Sequence, residues 1–140
     1  MQTFIEAVTL GHVSEVKVVL ASALAAAAVW QAALMAVGWG AVRVPFLQVR
    51  PAAKAHRALG DAIVVVALVV SALCLGYFGV EAEESDAHAP VALALLGVLA
   101  VKIAVVRGPP RFGFLLPPLG VAALVLFIAA WATAAAPYLG

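Results

Sequence analysis

Three histidines, His12, His56 and His88, are the side chains of this chain with the clearest chemical use. Histidine is the usual axial ligand of a b-type haem, and it is the side chain that titrates near neutral pH. Each of the three stands close to the start of a long apolar run. The direction of these runs therefore decides which histidines lie at the same depth and can act together.

The composition places these histidines in an integral membrane protein. Of the 140 residues, 66% are hydrophobic and only 11% are charged, and the mean hydropathy is +1.16. A soluble enzyme core is excluded, since soluble domains are about half apolar and about a quarter charged. The net charge of +1 gives no basic surplus for a nucleic-acid partner. The single cysteine, Cys74, cannot form a disulfide or a CxxC pair within the chain.

Four apolar runs are long enough, or nearly long enough, to cross a bilayer as helices, which takes about 20 residues each. They lack the alternation of apolar and polar residues that a lipid-facing β-strand requires. The sequence therefore predicts an all-α, polytopic membrane protein: a single domain over residues 1–140 built as a four-transmembrane-helix bundle. The predicted spans cover about 18–42, 58–80, 89–106 and 114–136, and a short interfacial helix is expected at 3–10.

The charged residues of the connecting loops predict the orientation of the bundle. The loops at 43–57 and 107–113 are basic, whereas the segment at 81–88 carries four carboxylates. By the positive-inside rule, the two basic loops face the cytoplasm, and both termini and the segment 81–88 lie outside.

This orientation puts His12 and His88 at the same outer level. The two could clamp one haem iron near the outer surface, and Lys17, about one turn deeper than His12, could meet a haem propionate. The alternative is that His12 and His88 are interfacial residues solvated by lipid headgroups.

His56 lies at the opposite, cytoplasmic end, roughly 30 Å of helix away from His88, so these two cannot share an iron. Gly60 follows His56 by one turn and would let a flat macrocycle approach the backbone. Lys102, near the end of the third span, could contact a propionate or a quinone. The alternatives are that His56 belongs to a basic headgroup anchor and that Lys102 snorkels to the cytoplasmic headgroups.

Three short motifs together resemble a known group of proteins. They are His56-Arg57-x-x-Gly60 at the head of the second span, His88 at the head of the third, and Val101-Lys102-x-x-x-Val106-Arg107 at its foot. Over roughly residues 50–112 the chain resembles the small four-helix membrane b-type cytochromes of the cytochrome b-561-like and ferric-reductase-like group, which includes prokaryotic relatives. The resemblance implies haem b held by histidines on facing helices, electron transfer, and the cytoplasmic membrane of a prokaryote.

The chain departs from this group at positions 62–80, where members usually carry a further histidine and this sequence has none. One outer haem, held by His12 and His88, is the most that its own residues can support. The first hypothesis is therefore a membrane b-type cytochrome or a haem-binding anchor subunit, with a quinone as a further candidate ligand. The alternative is a cofactor-free accessory subunit of a larger respiratory or photosynthetic membrane complex. The expected partners are the lipid bilayer and either other membrane subunits or further copies of the chain.

Overall fold

The computed structural model describes residues 2–45, 48–77 and 87–135, which form five α-helices and one 3-10 helix, with no β-strand. The helices are α1 (Gln2–Val8), α2 (Val13–Gly38), α3 (Val49–Tyr77), α4 (His88–Arg107) and α5 (Leu116–Ala135), and the 3-10 helix, Pro110–Leu115, leads directly into α5. Helices α2, α3 and α4, and the 3-10 helix together with α5, are each long and apolar enough to cross a membrane. The prediction of an all-α protein with four membrane-spanning helices is confirmed.

Helix formation follows from the absence of water in the hydrocarbon, where each backbone N–H and C=O must find a partner within the protein. Polar side chains within the spans obey the same rule. Ser71 donates to the carbonyl oxygen of Ala67 at 2.8 Å, one turn back along α3. The Ser71 hydroxyl therefore adds no unpaired donor to the apolar interior.

Two helices have limits at the basic end that differ from those of the predicted spans. Helix α3 begins at Val49 rather than near residue 58, so much of the predicted loop at 43–57 is helical. Pro51, which falls within the predicted loop at 43–57, lies in the first turn of α3, where a missing N–H costs nothing. Helix α2 ends at Gly38 rather than at residue 42, because Gly40 adopts a left-handed φ of +72° that stops the helix.

The remaining limits lie closer to the prediction. Helix α4 differs by one residue at each end from the predicted 89–106. The predicted span 114–136 corresponds to the end of the 3-10 helix and to α5, and residue 136 lies outside the described residues. Most of the acidic segment 81–88 also lies outside them. The short helix predicted at 3–10 is present as α1. It packs against α3, with Ile5 buried and the Tyr77 hydroxyl 3.4 Å from a Glu6 carboxylate oxygen.

The bundle core is made of two buried residues from each of the four long helices. Helix α2 packs against both α3 and α5, and α4 packs against α5. Phe127 is the largest member of the core, and its neighbours are aliphatic or small: Leu24, Ala28, Ile63, Ala67, Leu95, Leu99 and Ala123. Alanines allow the helices to approach closely, which matters because lipid gives no hydrophobic drive to helix association.

We predict that Phe127→Ala lowers the free energy of unfolding by about 1–3 kcal/mol, because it removes dispersion contacts at the centre of the bundle. Phe127 is 6% exposed, whereas Phe114 is 72% exposed. The matched control, Phe114→Ala, should therefore change stability by less than about 0.5 kcal/mol. Unfolding of both variants in a common detergent tests the prediction, and equal losses would contradict the assigned core.

Candidate functional site

The structure gathers nine residues with polar or site roles into two layers near opposite ends of the bundle. The first, here called the His56 layer, contains Gln31, His56, Gly60 and Lys102. The second, the His88 layer, contains Lys17, Ser22, His88, Trp131 and Thr133. Each layer draws on at least three of the four long helices.

In the His56 layer, α2 and α3 are joined by a reciprocal pair of hydrogen bonds. The Gln31 side-chain amide donates from Nε2 to the main-chain carbonyl of His56 at 2.8 Å. His56 returns the bond from Nδ1 to the main-chain carbonyl of Gln31 at 3.1 Å. A carbonyl oxygen can only accept, so the ring proton sits on Nδ1. In the neutral ring, the lone pair is then on Nε2.

Gly60 makes room for this pair. A Cβ atom at position 60 would lie 2.8 Å from Nε2 of Gln31, closer than real Cβ contacts allow. Gly60 was predicted to let a macrocycle approach the backbone. In the structure, the Gln31 side-chain amide occupies that space instead. Sequence reasoning missed Gln31, although it is one of only two polar residues in the first apolar run.

One acceptor in this layer has no donor among the described residues, namely Oε1 of the buried Gln31. Exchanging Oε1 and Nε2 of the Gln31 amide would not supply the missing donor, because the atom that faces the His56 carbonyl must be the N–H donor. A buried acceptor without a partner costs about 1–3 kcal/mol. Lys102 is half-buried on α4 and close enough for its charge to act on the His56 ring. The three predicted residues of this end therefore lie in one neighbourhood.

In the His88 layer, the imidazole bonds to α5. His88 Nδ1 lies 2.9 Å from the Thr133 hydroxyl oxygen. That hydroxyl directs its single proton at the carbonyls of Ala129 and Ala130, at 3.0 and 3.1 Å. With its proton on these carbonyls, Thr133 accepts from Nδ1, and His88 then has the same tautomer as His56.

Lys17 is half-buried on α2 and lies close enough to His88 for its charge to act on the ring. Trp131 donates its indole N–H to the Ser22 hydroxyl at 2.9 Å and joins α5 to α2 at the same end. A cavity beside Lys17 and Cys74 has a volume of about 10 Å³. It can hold one water at most.

His12 lies immediately before α2 and contacts a residue in the first turn of that helix. Its Nδ1 is 3.2 Å from a Glu15 carboxylate oxygen, and the two side chains are 64% and 77% exposed. No group of three His, Cys, Asp or Glu side chains within residues 2–45, 48–77 and 87–135 is arranged to hold a metal ion. A haem iron needs only two such ligands, so the pairing of His12 with His88 stays a prediction.

All three histidines thus direct Nδ1 toward an oxygen: a carboxylate, a main-chain carbonyl and a hydroxyl, respectively. Histidines that ligate metals almost always donate their other ring N–H in this way, which fixes the tautomer and the ring orientation. The arrangement is chemically suited to ligation through Nε2.

We predict that Gly60→Ala destabilises the bundle by about 1–3 kcal/mol, because the new methyl group displaces the Gln31 amide from the His56 carbonyl. Gly97→Ala is the matched control: nothing lies within 4 Å of a Cβ there, so higher helix propensity should leave it neutral or about 0.5 kcal/mol more stable. In a Gln31→Ala background, Gly60→Ala should cost nothing. Unfolding of the double-mutant cycle measures this coupling, and an unchanged cost without Gln31 would contradict it.

Residues 2–140 match a family described only as a family of unknown function, DUF6529. No curated protein and no solved structure matches the chain. The family match covers nearly the whole chain, including both polar layers and all three histidines. The chain therefore belongs to the DUF6529 family.

Proposed function

We propose that this chain is a membrane b-type cytochrome, or a haem-binding membrane anchor subunit, that takes part in electron transfer. The proposal rests on one observation: each histidine directs Nδ1 toward an oxygen atom. In metal-binding proteins this arrangement makes Nε2 the ligand atom. The resemblance of residues 50–112 to b-type cytochromes supports the same reading.

At the end of the bundle near α1, two imidazoles and one ammonium group are available, and these are groups that haem b can bind. His88 and His12 would hold the haem iron, and the Lys17 ammonium would pair with a propionate. When bound, haem supplies one-electron redox chemistry. The chain's own part is placement: Thr133 holds the His88 ring, and Glu15 engages the His12 ring. The cavity beside Lys17 is too small for a macrocycle, so the group would lie at the perimeter of the bundle.

The His56 layer would serve the opposite membrane surface. The Lys102 ammonium can donate to a carbonyl oxygen of a quinone headgroup, and His56, whose Nε2 carries the lone pair, can accept from the hydroxyl of the reduced quinol. The Gly60 side of His56 is occupied by Gln31, so any such contact would involve Nε2 of His56 from another direction.

The reduced-minus-oxidised visible spectrum of the detergent-purified chain tests the proposal. We expect a b-type α-band that is lost in His88→Ala and His12→Ala and kept in His56→Ala, the control at the other end. Thr133→Val should keep the band but weaken haem retention roughly 10–100-fold, as expected for a residue that orients a ligand. A colourless wild-type protein, or a band that His88→Ala leaves intact, would refute the proposal.

A second candidate function is a cofactor-free accessory subunit of a larger membrane complex. One observation favours it: His56 and His88 each bond to a neighbouring helix, and Gln31 fills the space beside Gly60, so these residues already act in holding the bundle together. A colourless chain that co-purifies with other membrane subunits would support this candidate over the first.

Both candidates place the basic end of the bundle in the cytoplasm of a prokaryote. In a Cys74→Ser background, we expect an impermeant maleimide added to intact cells to label Glu15→Cys and to leave Lys54→Cys unlabelled until the cells are lysed. Both positions are exposed, so a difference in labelling reports sidedness rather than burial. The reverse pattern would show that the proposed orientation is inverted.

A further inference from the structure

Helix α3 is longer than the bilayer core is thick. Its 29 residues extend for about 43 Å, whereas the hydrocarbon is about 30 Å thick, so roughly nine residues must extend beyond it. The charged residues Arg50, Lys54 and Arg57 mark the end that extends. Their i, i+4, i+7 spacing puts them on one side of α3, here called the basic face, and all three are exposed. Ala52, on the opposite side, is fully buried against α2.

The basic face has no counter-charge in the described structure. No acidic residue lies in the first turn of α3, and none of the three cations forms an ion pair with a described residue. Asp61 follows Arg57 by one turn, yet it lies beyond ion-pair distance. The positive end of the helix dipole adds to the three cations rather than offsetting them. An external anion is the natural complement of this face.

An open groove lies on the same side of the helix, lined by Ala53, Lys54, Arg57, Ala58 and Asp61. The two alanines have small side chains that leave the groove open. The Lys54 ammonium and the Arg57 guanidinium also line it, one helical turn apart. We propose that this groove binds the phosphate of an anionic phospholipid between Lys54 and Arg57.

Charge favours a lipid over a second copy of the chain as the occupant. Seven of the eight Lys and Arg residues lie at this end of the fold, and Lys17 lies at the other end. Among the described residues, Asp61 is the one carboxylate that accompanies the seven cations. Two copies facing the same way in a membrane would bring these like charges together. The headgroup phosphates of anionic lipids lie at the depth where α3 leaves the hydrocarbon, and basic segments there attract them.

Native mass spectrometry of the full chain, titrated with phosphatidylglycerol or with phosphatidylcholine, tests the proposal by counting bound lipids. The first phosphatidylglycerol should bind at least tenfold more tightly than the first phosphatidylcholine. Because each cation contributes roughly fivefold to such binding, Lys54→Gln/Arg57→Gln should weaken it roughly 25-fold. The control, Arg107→Gln/Arg111→Gln, removes two exposed cations from the same end and should weaken it less than threefold. Circular dichroism should show equal helical content in both double variants.

Three results would overturn the proposal. Equal losses in the two double variants would show diffuse attraction to the basic end rather than a site. Displacement of the lipid by inorganic phosphate at equal concentration would show a site for the free anion. A wild-type dimer in neutral lipid that Lys54→Gln/Arg57→Gln dissociates would make the face an interface between copies. None of these results depends on haem, so the test is independent of the proposed cytochrome function.

Discussion

Hydrocarbon offers no hydrogen bonds, and this constraint governs both the fold and the placement of the polar side chains of this protein. It requires the four apolar segments to be helical, and it requires each polar side chain within them to find a partner inside the bundle. Thr133 meets the requirement through its own helix and His88, Trp131 through Ser22, and Gln31 through His56. Because these partners lie on neighbouring helices, the same bonds that satisfy polar groups also set the register of α2 with α3 and of α4 with α5.

The two polar layers gain chemical meaning from this pairing. An imidazole whose Nδ1 proton is committed to an oxygen has a fixed tautomer and a restricted orientation, which are the properties required of a metal ligand. The same bonds would also be made by histidines that only hold helices together. The two candidate functions therefore share one geometry and differ in whether Nε2 binds a group from outside the chain. Oε1 of Gln31, which has no donor among the described residues, makes the His56 layer the less fully satisfied of the two.

Much of the fold could be predicted from the sequence, because length and hydropathy alone determine how many helices cross a bilayer. The helix limits were less predictable: Pro51 and Gly40 act through their positions within a turn, which composition does not reveal. At the site, the charge pattern predicted that His12, Lys17 and His88 belong to the outer end, and Lys17 lies close enough to His88 for its charge to act on the ring. The partnership of Gln31 with His56 and Gly60 was missed, since 25 residues separate Gln31 from His56 and the rotation of α2 against α3 depends on packing. Thr133 was missed for the same reason.

The claim on which this account rests most directly is that His56 and His88 are each held as the neutral Nδ1–H tautomer by an acceptor on a neighbouring helix. Nitrogen-15 NMR of the chain labelled at histidine, recorded in lipid nanodiscs above the titration range of the rings, distinguishes the two ring nitrogens. The account predicts that in both residues Nδ1 carries the proton and Nε2 carries the lone pair, with His88 losing this preference in Thr133→Val. The Nε2–H tautomer at His56 or His88 would contradict it.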